Sequence, residues 1–228
     1  MDYVVIACQT IRDELMKAVN ETGCSYPIIW VDSKLHVDPA KLRAGLQQEL
    51  DGLQGIDCAL FAFGSCGNGL VDLHATTSDL IIPKTDDCIS MVLSEPGRIF
   101  ERQKDTYFLT KGWIESSKGL LNEYHYTLQR YGEKRTKRIF DLMLGHYRNL
   151  MLIDTEAYDL AEWLGKAEEL AEKTNLTLTT TKGSIWFLKQ LLTGPYDKNF
   201  CYINKGETVN IGHFGYPTKP QLLNNVGG

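Results

Sequence analysis

Three cysteines stand at the ends of short apolar segments. Cys8 closes the run that starts at Tyr3, Cys66 lies in the glycine-rich turn after residues 59–63, and Cys88 follows the run at residues 80–83. Short apolar runs that end in turn residues are typical of buried strands. If these strands are parallel neighbours, the three thiols gather at one edge of a sheet, where open α/β sheets bind their ligands.

Thiolates at such an edge can hold a metal. Catalytic zinc keeps three protein ligands and one open position, and an iron–sulfur cluster bound by cysteine thiolates can likewise present an open iron. Because 58 and 22 residues separate Cys8, Cys66 and Cys88, the fold rather than a compact motif must bring them together. The spacing leaves both zinc and an iron–sulfur cluster open.

Cysteine is also a small, often buried apolar residue, which gives a plainer interpretation of the same positions. Cys58 and Cys201 lie inside apolar runs and are interpreted in that way. For Cys8, Cys66 and Cys88 the sequence alone leaves both interpretations open.

The turn at residues 64–69 has the order Gly-Ser-Cys-Gly-Asn-Gly. Its glycines allow left-handed backbone conformations and a close approach to a ligand. A substrate or a phosphate can therefore contact Gly67, Asn68 and Gly69. The order matches neither the dinucleotide fingerprint nor the P-loop, so a phosphate-binding module stays an alternative.

Four further side chains are predicted to bind substrate beside the thiols. His36 follows the second predicted strand, Asp87 precedes Cys88, and Tyr107 and Trp113 are candidates for the walls of a pocket. Each also has an ordinary interpretation: a surface histidine, an exposed turn residue or core aromatics.

The composition is that of a globular protein without a polyanionic or lipid partner. The 228 residues are 43% hydrophobic and 23% charged, with a net charge of −5. The densest basic stretch, residues 134–138, is interpreted as a solvated helix face, so we expect no nucleic acid. No apolar run is long enough to span a bilayer and no leader is recognised, so we expect a cytoplasmic protein with reduced cysteines and no membrane partner.

The order of strands and helices predicts an α/β fold with parallel sheets flanked by helices, in two Rossmann-like lobes with a mostly helical connection. Residues 1–94 are the predicted N-terminal lobe, which carries the cysteines. Residues 95–148 are the connection and residues 149–206 the C-terminal lobe. Residues 207–228 lose periodicity and are expected to form a loosely ordered tail.

One segment of the N-terminal lobe and two segments of the connection are predicted to be helical. Residues 39–53 are predicted to form an amphipathic helix with Asp38 as its N-cap. Residues 95–103 are predicted to be helical. Residues 120–144 are predicted to be helical with an interruption near Gly132.

Several short motifs occur together along the chain. They are Ala7-Cys8, Leu35-His36 with Pro39 and Leu42, Cys66-Gly67-Asn68-Gly69, Asp87-Cys88, the Thr-Tyr-x-Leu-Thr-x-Gly-Trp segment at residues 106–113, and Ile153-Asp154-Thr155. In these motifs the chain resembles a family of uncharacterised prokaryotic proteins catalogued as domain of unknown function 1638. The similarity extends to about Gly206. Ser65 and Lys111 depart from the usual residues, but neither departure touches a cysteine.

The resemblance strengthens the three-cysteine site without naming a reaction. Genes of this family often lie beside corrinoid-dependent methyltransferase genes in anaerobes. We therefore expect a metalloprotein of one-carbon metabolism, a candidate metal-dependent methyltransferase, whose metal activates a thiol or another small substrate. The alternatives are an iron–sulfur protein with an open iron, or a non-enzymatic partner of a corrinoid protein or its methyltransferase.

Overall fold

A computed structural model describes residues 1–216, except the side chain of Val37. Its larger sheet has the strand order β2-β1-β3-β4-β8. The strands are β1 (Tyr3–Cys8), β2 (Ile28–Val31), β3 (Cys58–Ala62), β4 (Asp79–Pro83) and β8 (Phe200–Ile203). β1 to β4 are mutually parallel, whereas β8 pairs with β4 in the antiparallel direction.

A smaller, parallel sheet has the order β5-β6-β7. It consists of β5 (Thr106–Leu109), β6 (Asn149–Asp154) and β7 (Thr177–Lys182). The predicted α/β class is confirmed, and the antiparallel β8 makes the larger sheet mixed. β5 lies inside the stretch that was expected to be mostly helical.

Helices flank both sheets. They are α1 (Arg12–Thr22), α2 (Pro39–Gly52), α3 (Cys88–Leu93), α4 (Lys111–Glu115), α5 (Leu120–Tyr131), α6 (Glu133–Leu144), α7 (Leu160–Thr174) and α8 (Trp186–Thr193). Within residues 1–216, no helix is long and apolar enough to cross a membrane.

Local sequence explains most helix boundaries. Asp38 caps α2 by accepting the Ala40 N–H at 2.9 Å, and Pro39 fits the first turn, as predicted. The apolar face of α2 is buried through Leu42, Leu46 and Leu50. Gly132, with a φ of 76°, separates α5 from α6, so the predicted interruption is confirmed.

The helix predicted at residues 95–103 is wrong. Glu95 and Arg98 exchange two backbone hydrogen bonds across Pro96 and Gly97, whose φ is 79°. Proline followed by glycine favours a tight turn, and that local preference prevails here. The segment then continues without regular structure to β5.

The chain forms two hydrophobic cores and returns to the first one at its end. The first core contains the larger sheet with α1, α2, α3 and α8, and it also receives Phe108 and Ile153 from one face of the smaller sheet. The second core lies between the smaller sheet and α4 to α7. The smaller sheet is thus inserted between β4 and the α8–β8 segment. Of the expected loose tail, the first ten residues include a short 3-10 helix at Ile211–Phe214, and the part beyond position 216 lies outside the described residues.

Candidate functional site

The carboxyl ends of β1, β3 and β4 lie side by side. Ala7 pairs with Ala62, and Leu60 pairs with Ile81, so the three strands end at nearly the same level. The parallel arrangement therefore brings Cys8, the turn that contains Cys66, and the start of α3 at Cys88 to one edge of the larger sheet.

Close packing of two loops positions Cys66. The Ser65 N–H donates to the Thr85 carbonyl and the Cys66 N–H donates to the Asp86 carbonyl, both at 2.8 Å. A Cβ on Gly64 would lie 2.6 Å from the Asp87 nitrogen, so only glycine permits this approach. The turn after β3 is thus held against the loop that leads to Cys88.

The turn itself has a left-handed backbone. Cys66, Gly67 and Asn68 have φ values of 47°, 65° and 69°. Left-handed conformations are uncommon for cysteine and tend to occur at sites where the surrounding structure enforces them. Here the two hydrogen bonds to the neighbouring loop provide that constraint.

Cys8 is fully buried and its sulfur has polar neighbours. Its Sγ lies 2.9 Å from Thr10 Oγ1 and 3.0 Å from His36 Nε2, and the Thr10 N–H donates to it at 3.4 Å. The His36 ring also stacks on Phe63, with 5.9 Å between the ring centroids. Cys8 is therefore held in one orientation, and His36 lies directly beside it.

Cys88 is the shared neighbour of the other two cysteines. Its thiol lies near enough to the Cys8 and Cys66 thiols for these groups to influence one another's pKa values. The contact with Cys88 and burial raise the pKa of Cys8 well above its ordinary value, although His36 acts in the opposite direction. The contact with Cys66 and burial likewise raise the pKa of Cys88. Burial and these neighbours therefore favour the neutral thiol at both positions, although Cys8 acts in the opposite direction on Cys88.

The residues fit a soft metal in their chemistry but not in their present arrangement. Three cysteines with an adjacent histidine are the donor types that zinc and iron–sulfur clusters use. Within residues 1–216, however, no three His, Cys, Asp or Glu side chains are placed so that they could hold a metal ion. The three thiols would therefore have to change orientation to hold one.

A cavity of about 670 Å³ adjoins the thiols. It is lined by His36, Pro39, Ser65, Cys66, Gly67, Asn68, Asp86, Asp87, Cys88, Ile89, Arg102, Tyr107, Phe108, Trp113, Ile211 and Tyr216. A space of this size suits a small organic molecule. Of the residues predicted to form the site, Cys8 and Gly69 are not part of the lining.

Cys8 and Gly69 lie near the cavity but do not line it. Cys8 is buried behind the lining, against His36 and Cys88. Gly69 packs against α2, because a Cβ there would lie 2.7 Å from Leu42 Cδ2. Its role is therefore in packing, whereas Gly67 and Asn68 face the cavity.

The aromatic wall comes from β5 and α4. Trp113 donates its Nε1–H to the Tyr107 hydroxyl at 2.8 Å, which fixes the two rings relative to each other. A Cβ on Gly112 would lie only 2.2 Å from the Thr10 carbonyl oxygen. The Thr-x-Gly-Trp segment can therefore pack against the loop after Cys8, and the inserted sheet supplies one side of the cavity.

Sequence reasoning missed several residues of the lining. Arg102 lies in the irregular segment before β5 and forms an ion pair with Asp87. Phe108, Ile211 and Tyr216 also line the cavity, and the Tyr216 hydroxyl donates to Asp86. The local sequence around Arg102 contains no motif that would have identified it.

The other three cysteines lie apart from this site. Cys58 and Cys201 are buried within β3 and β8, and Cys201 donates its S–H to the His213 carbonyl at 3.0 Å. Cys24 is half-buried after α1. Cys58 is therefore a suitable control for substitutions in the site.

Comparison with known proteins gives one result. No curated protein and no solved structure matches the chain. The model of a family described as "Protein of unknown function (DUF1638)" matches residues 30–192, well over half of the 228 residues and including His36, Cys66, Cys88, Tyr107 and Trp113. The chain therefore belongs to the DUF1638 family.

Proposed function

We propose that this chain is a metalloprotein that holds zinc through Cys8, Cys66 and Cys88 and acts on a small molecule in the adjoining cavity. The observation that carries the proposal is that three thiols from distant parts of the chain lie at one edge of the larger sheet, near enough to influence one another's pKa values, and that two of them line the cavity. The reaction class that we infer is methyl transfer to a thiol. The association of family genes with corrinoid-dependent methyltransferases motivates that choice.

Zinc binding requires the thiols to lose their protons and to converge. Cysteine side chains turn about a single torsion between staggered positions, so reorientation of Sγ needs no new backbone path. Cys88 lies near both Cys8 and Cys66, so the side chains that would hold zinc are already neighbours. When bound, zinc supplies a Lewis acid that keeps a coordinated thiol in its nucleophilic thiolate form.

The surrounding residues have separate tasks in this proposal. His36 holds the Cys8 sulfur at 3.0 Å, while Tyr107 and Trp113 form a fixed aromatic wall that limits the space for substrate. Asp87 begins α3, accepting the Ser90 N–H at 2.8 Å, and thereby orients Cys88. Gly67 and Asn68 line the cavity beside Cys66.

The alternatives differ in the metal or in the partner. An iron–sulfur cluster would use the same thiols, and metal analysis distinguishes it from zinc. A non-enzymatic partner of a corrinoid protein or methyltransferase would be expected to expose a shallow apolar surface around the thiols. A concave cavity with aromatic walls favours a small-molecule substrate over such a docking surface.

Two serine substitutions test the proposal. Cys66→Ser should abolish retention of zinc in protein made anaerobically, because a neutral hydroxyl is a much poorer zinc ligand than a thiolate. Cys58→Ser should retain the metal and lower the free energy of unfolding by about 1–3 kcal/mol, because Cys58 is buried away from the site. Metal content by elemental analysis and urea unfolding are the measurements. Equal loss of zinc in both variants would show that the ligands are assigned wrongly.

A further inference from the structure

One end of the cavity carries hydrogen-bond donors that the proposed metal site does not use. Arg102 and Tyr107 both line the cavity. Burial raises the pKa of Tyr107, while the bond from Trp113 and the nearby charge of Arg102 act against that rise. The guanidinium and the hydroxyl therefore line the same part of one cavity.

The Arg102 guanidinium is only partly engaged. Its Nη1 pairs with Asp87 Oδ2, and its side chain is 42% exposed. A guanidinium offers five N–H donors in a planar fork that matches a carboxylate. Within the described residues only this nitrogen has a protein acceptor, so donors remain for a ligand.

The Tyr107 hydroxyl is also a free donor. Its oxygen already accepts the Trp113 Nε1–H at 2.8 Å, which directs its own proton away from the indole. In the part of the chain that the structure describes, no protein group accepts that proton. An acceptor on a ligand in the cavity can therefore take this proton.

Most oxygens of the nearby carboxylates already have hydrogen-bond partners, unlike the donors of Arg102 and Tyr107. Asp87 accepts the Ser90 N–H with Oδ1 and pairs with Arg102 through Oδ2, so both of its oxygens have partners. Asp86 accepts the Tyr216 hydroxyl with Oδ1, and among the described residues its Oδ2 is the one oxygen of these two carboxylates without a protein partner. Most of the polar atoms without a protein partner at this end of the cavity are thus hydrogen-bond donors. Such a set suits an anionic ligand more than a cationic one.

We propose that Arg102 and Tyr107 form a carboxylate-binding subsite, so that the small molecule bound in this cavity is a carboxylic acid. The inference deepens the proposed function by naming the substrate class. It depends on that proposal only for the substrate role, because the subsite itself needs no metal. Arg102 binds the carboxylate with its free N–H groups while its pairing with Asp87 holds the guanidinium in place.

Three probes of equal size test the subsite. They are 3-phenylpropionate, 3-phenyl-1-propanol and 3-phenylpropylamine, which share an apolar body and differ in the charge of the end group. Titration calorimetry on anaerobically purified protein should show the carboxylate binding at least about tenfold more tightly than the alcohol, as expected for one charge-assisted pair. The amine should bind most weakly.

Substitutions assign the effect to residues. Arg102→Gln should reduce carboxylate affinity about tenfold and leave alcohol affinity unchanged, and Tyr107→Phe should reduce carboxylate affinity to a smaller extent. Arg98→Gln is the matched control, because Arg98 belongs to the same segment, pairs with Glu95 and does not line the cavity. It should bind all three probes as the unchanged protein does.

The outcomes separate this inference from the metal proposal. Equal binding of the three probes, tighter binding of the amine, or no carboxylate binding at millimolar concentration would overturn the subsite. Zinc content measured on the same Arg102→Gln sample should be unchanged. Carboxylate selectivity in a protein without zinc would support the subsite and contradict the metal proposal.

Discussion

At the scale of single residues, the candidate site depends on a buried polar thiol and on two glycines that allow close packing. The buried Cys88 thiol lies near those of Cys8 and Cys66. Gly64 and Gly112 permit two close approaches between backbone segments. Buried polar groups of this kind reduce stability unless they are paired. Their presence at one edge of the sheet is what a binding function requires.

Glu14 is another residue of this kind, outside the cavity. It lies in α1, is only 1% exposed, and accepts a hydrogen bond from Thr155 Oγ1 at 3.1 Å. Burial raises its pKa from 4.5 to about 7, the neighbouring Asp13 adds to the rise, and Thr155 and Lys111 oppose it. Thr155 follows β6, so this hydrogen bond connects α1, which packs in the first core, with the smaller sheet.

The Glu14 pKa predicts how stability changes with pH. Because the folded state disfavours the charged carboxylate, the free energy of unfolding should fall by about 3 kcal/mol as the pH rises from 4.5 through about 7. Glu14→Gln should remove most of this decrease. Urea unfolding at acid and at mildly alkaline pH measures it.

Glu49→Gln, on the exposed side of α2, serves as the control for the Glu14 experiment. It should keep the pH dependence of the unchanged protein. An identical pH dependence for Glu14→Gln and the unchanged protein would contradict the assignment of the buried carboxyl.

At the scale of elements, the close approach of the two loops after β3 and β4 determines whether Cys66 reaches Cys88. Gly64→Ala would place a Cβ 2.6 Å from the Asp87 nitrogen and 2.7 Å from the Thr85 carbonyl oxygen. These are backbone atoms that cannot move aside locally. We expect the free energy of unfolding to fall by about 1–3 kcal/mol, as for other overpacked sites.

Gly165→Ala is the matched substitution for Gly64→Ala. Gly165 lies within α7 and a Cβ there meets nothing within 4 Å. Its replacement should leave stability unchanged or raise it by up to about 1 kcal/mol, because alanine favours helix. Equal stability of the two alanine variants in urea unfolding would show that the approach at Gly64 is not tight.

Much of the element order could be predicted from local patterns. The apolar run at residues 59–63 corresponds to β3, and the leucine spacing of residues 39–53 corresponds to α2. The rule that parallel strands end at a common edge predicts from the sequence that the three cysteines lie together. The helix predicted at residues 95–103 is wrong because Pro96 and Gly97 favour a turn more strongly than their neighbours favour a helix.

Other features depend on contacts that no local pattern contains. β8 lies antiparallel beside β4, although more than a hundred residues separate the two strands. Arg102 reaches the cavity from an irregular, exposed segment. Its ion pair with Asp87, which lies outside that segment, positions it there. Such placements arise from the tertiary fold. The sequence therefore predicted the cysteines and the aromatic residues of the cavity, including Tyr107, but not Arg102.

At the scale of the whole molecule, the cavity joins two regions, that of the larger sheet and that of the inserted smaller sheet. The larger sheet and its loops supply the thiols and the glycine turn, while β5 of the inserted smaller sheet supplies Tyr107 and α4 supplies Trp113. α8 packs against α1, and β8 covers the outer edge of β4, so the end of the described chain closes the first region. A small molecule in the cavity would therefore contact both regions.

The metal content of the unchanged protein tests the central claim most directly. Protein produced and purified without oxygen or chelators should contain about one zinc ion per chain by elemental analysis and should be colourless, because Zn²⁺ has a filled d shell. Iron and sulfide in comparable amounts would support the iron–sulfur alternative. Neither zinc nor iron in such a preparation would contradict the account of Cys8, Cys66 and Cys88 as metal ligands.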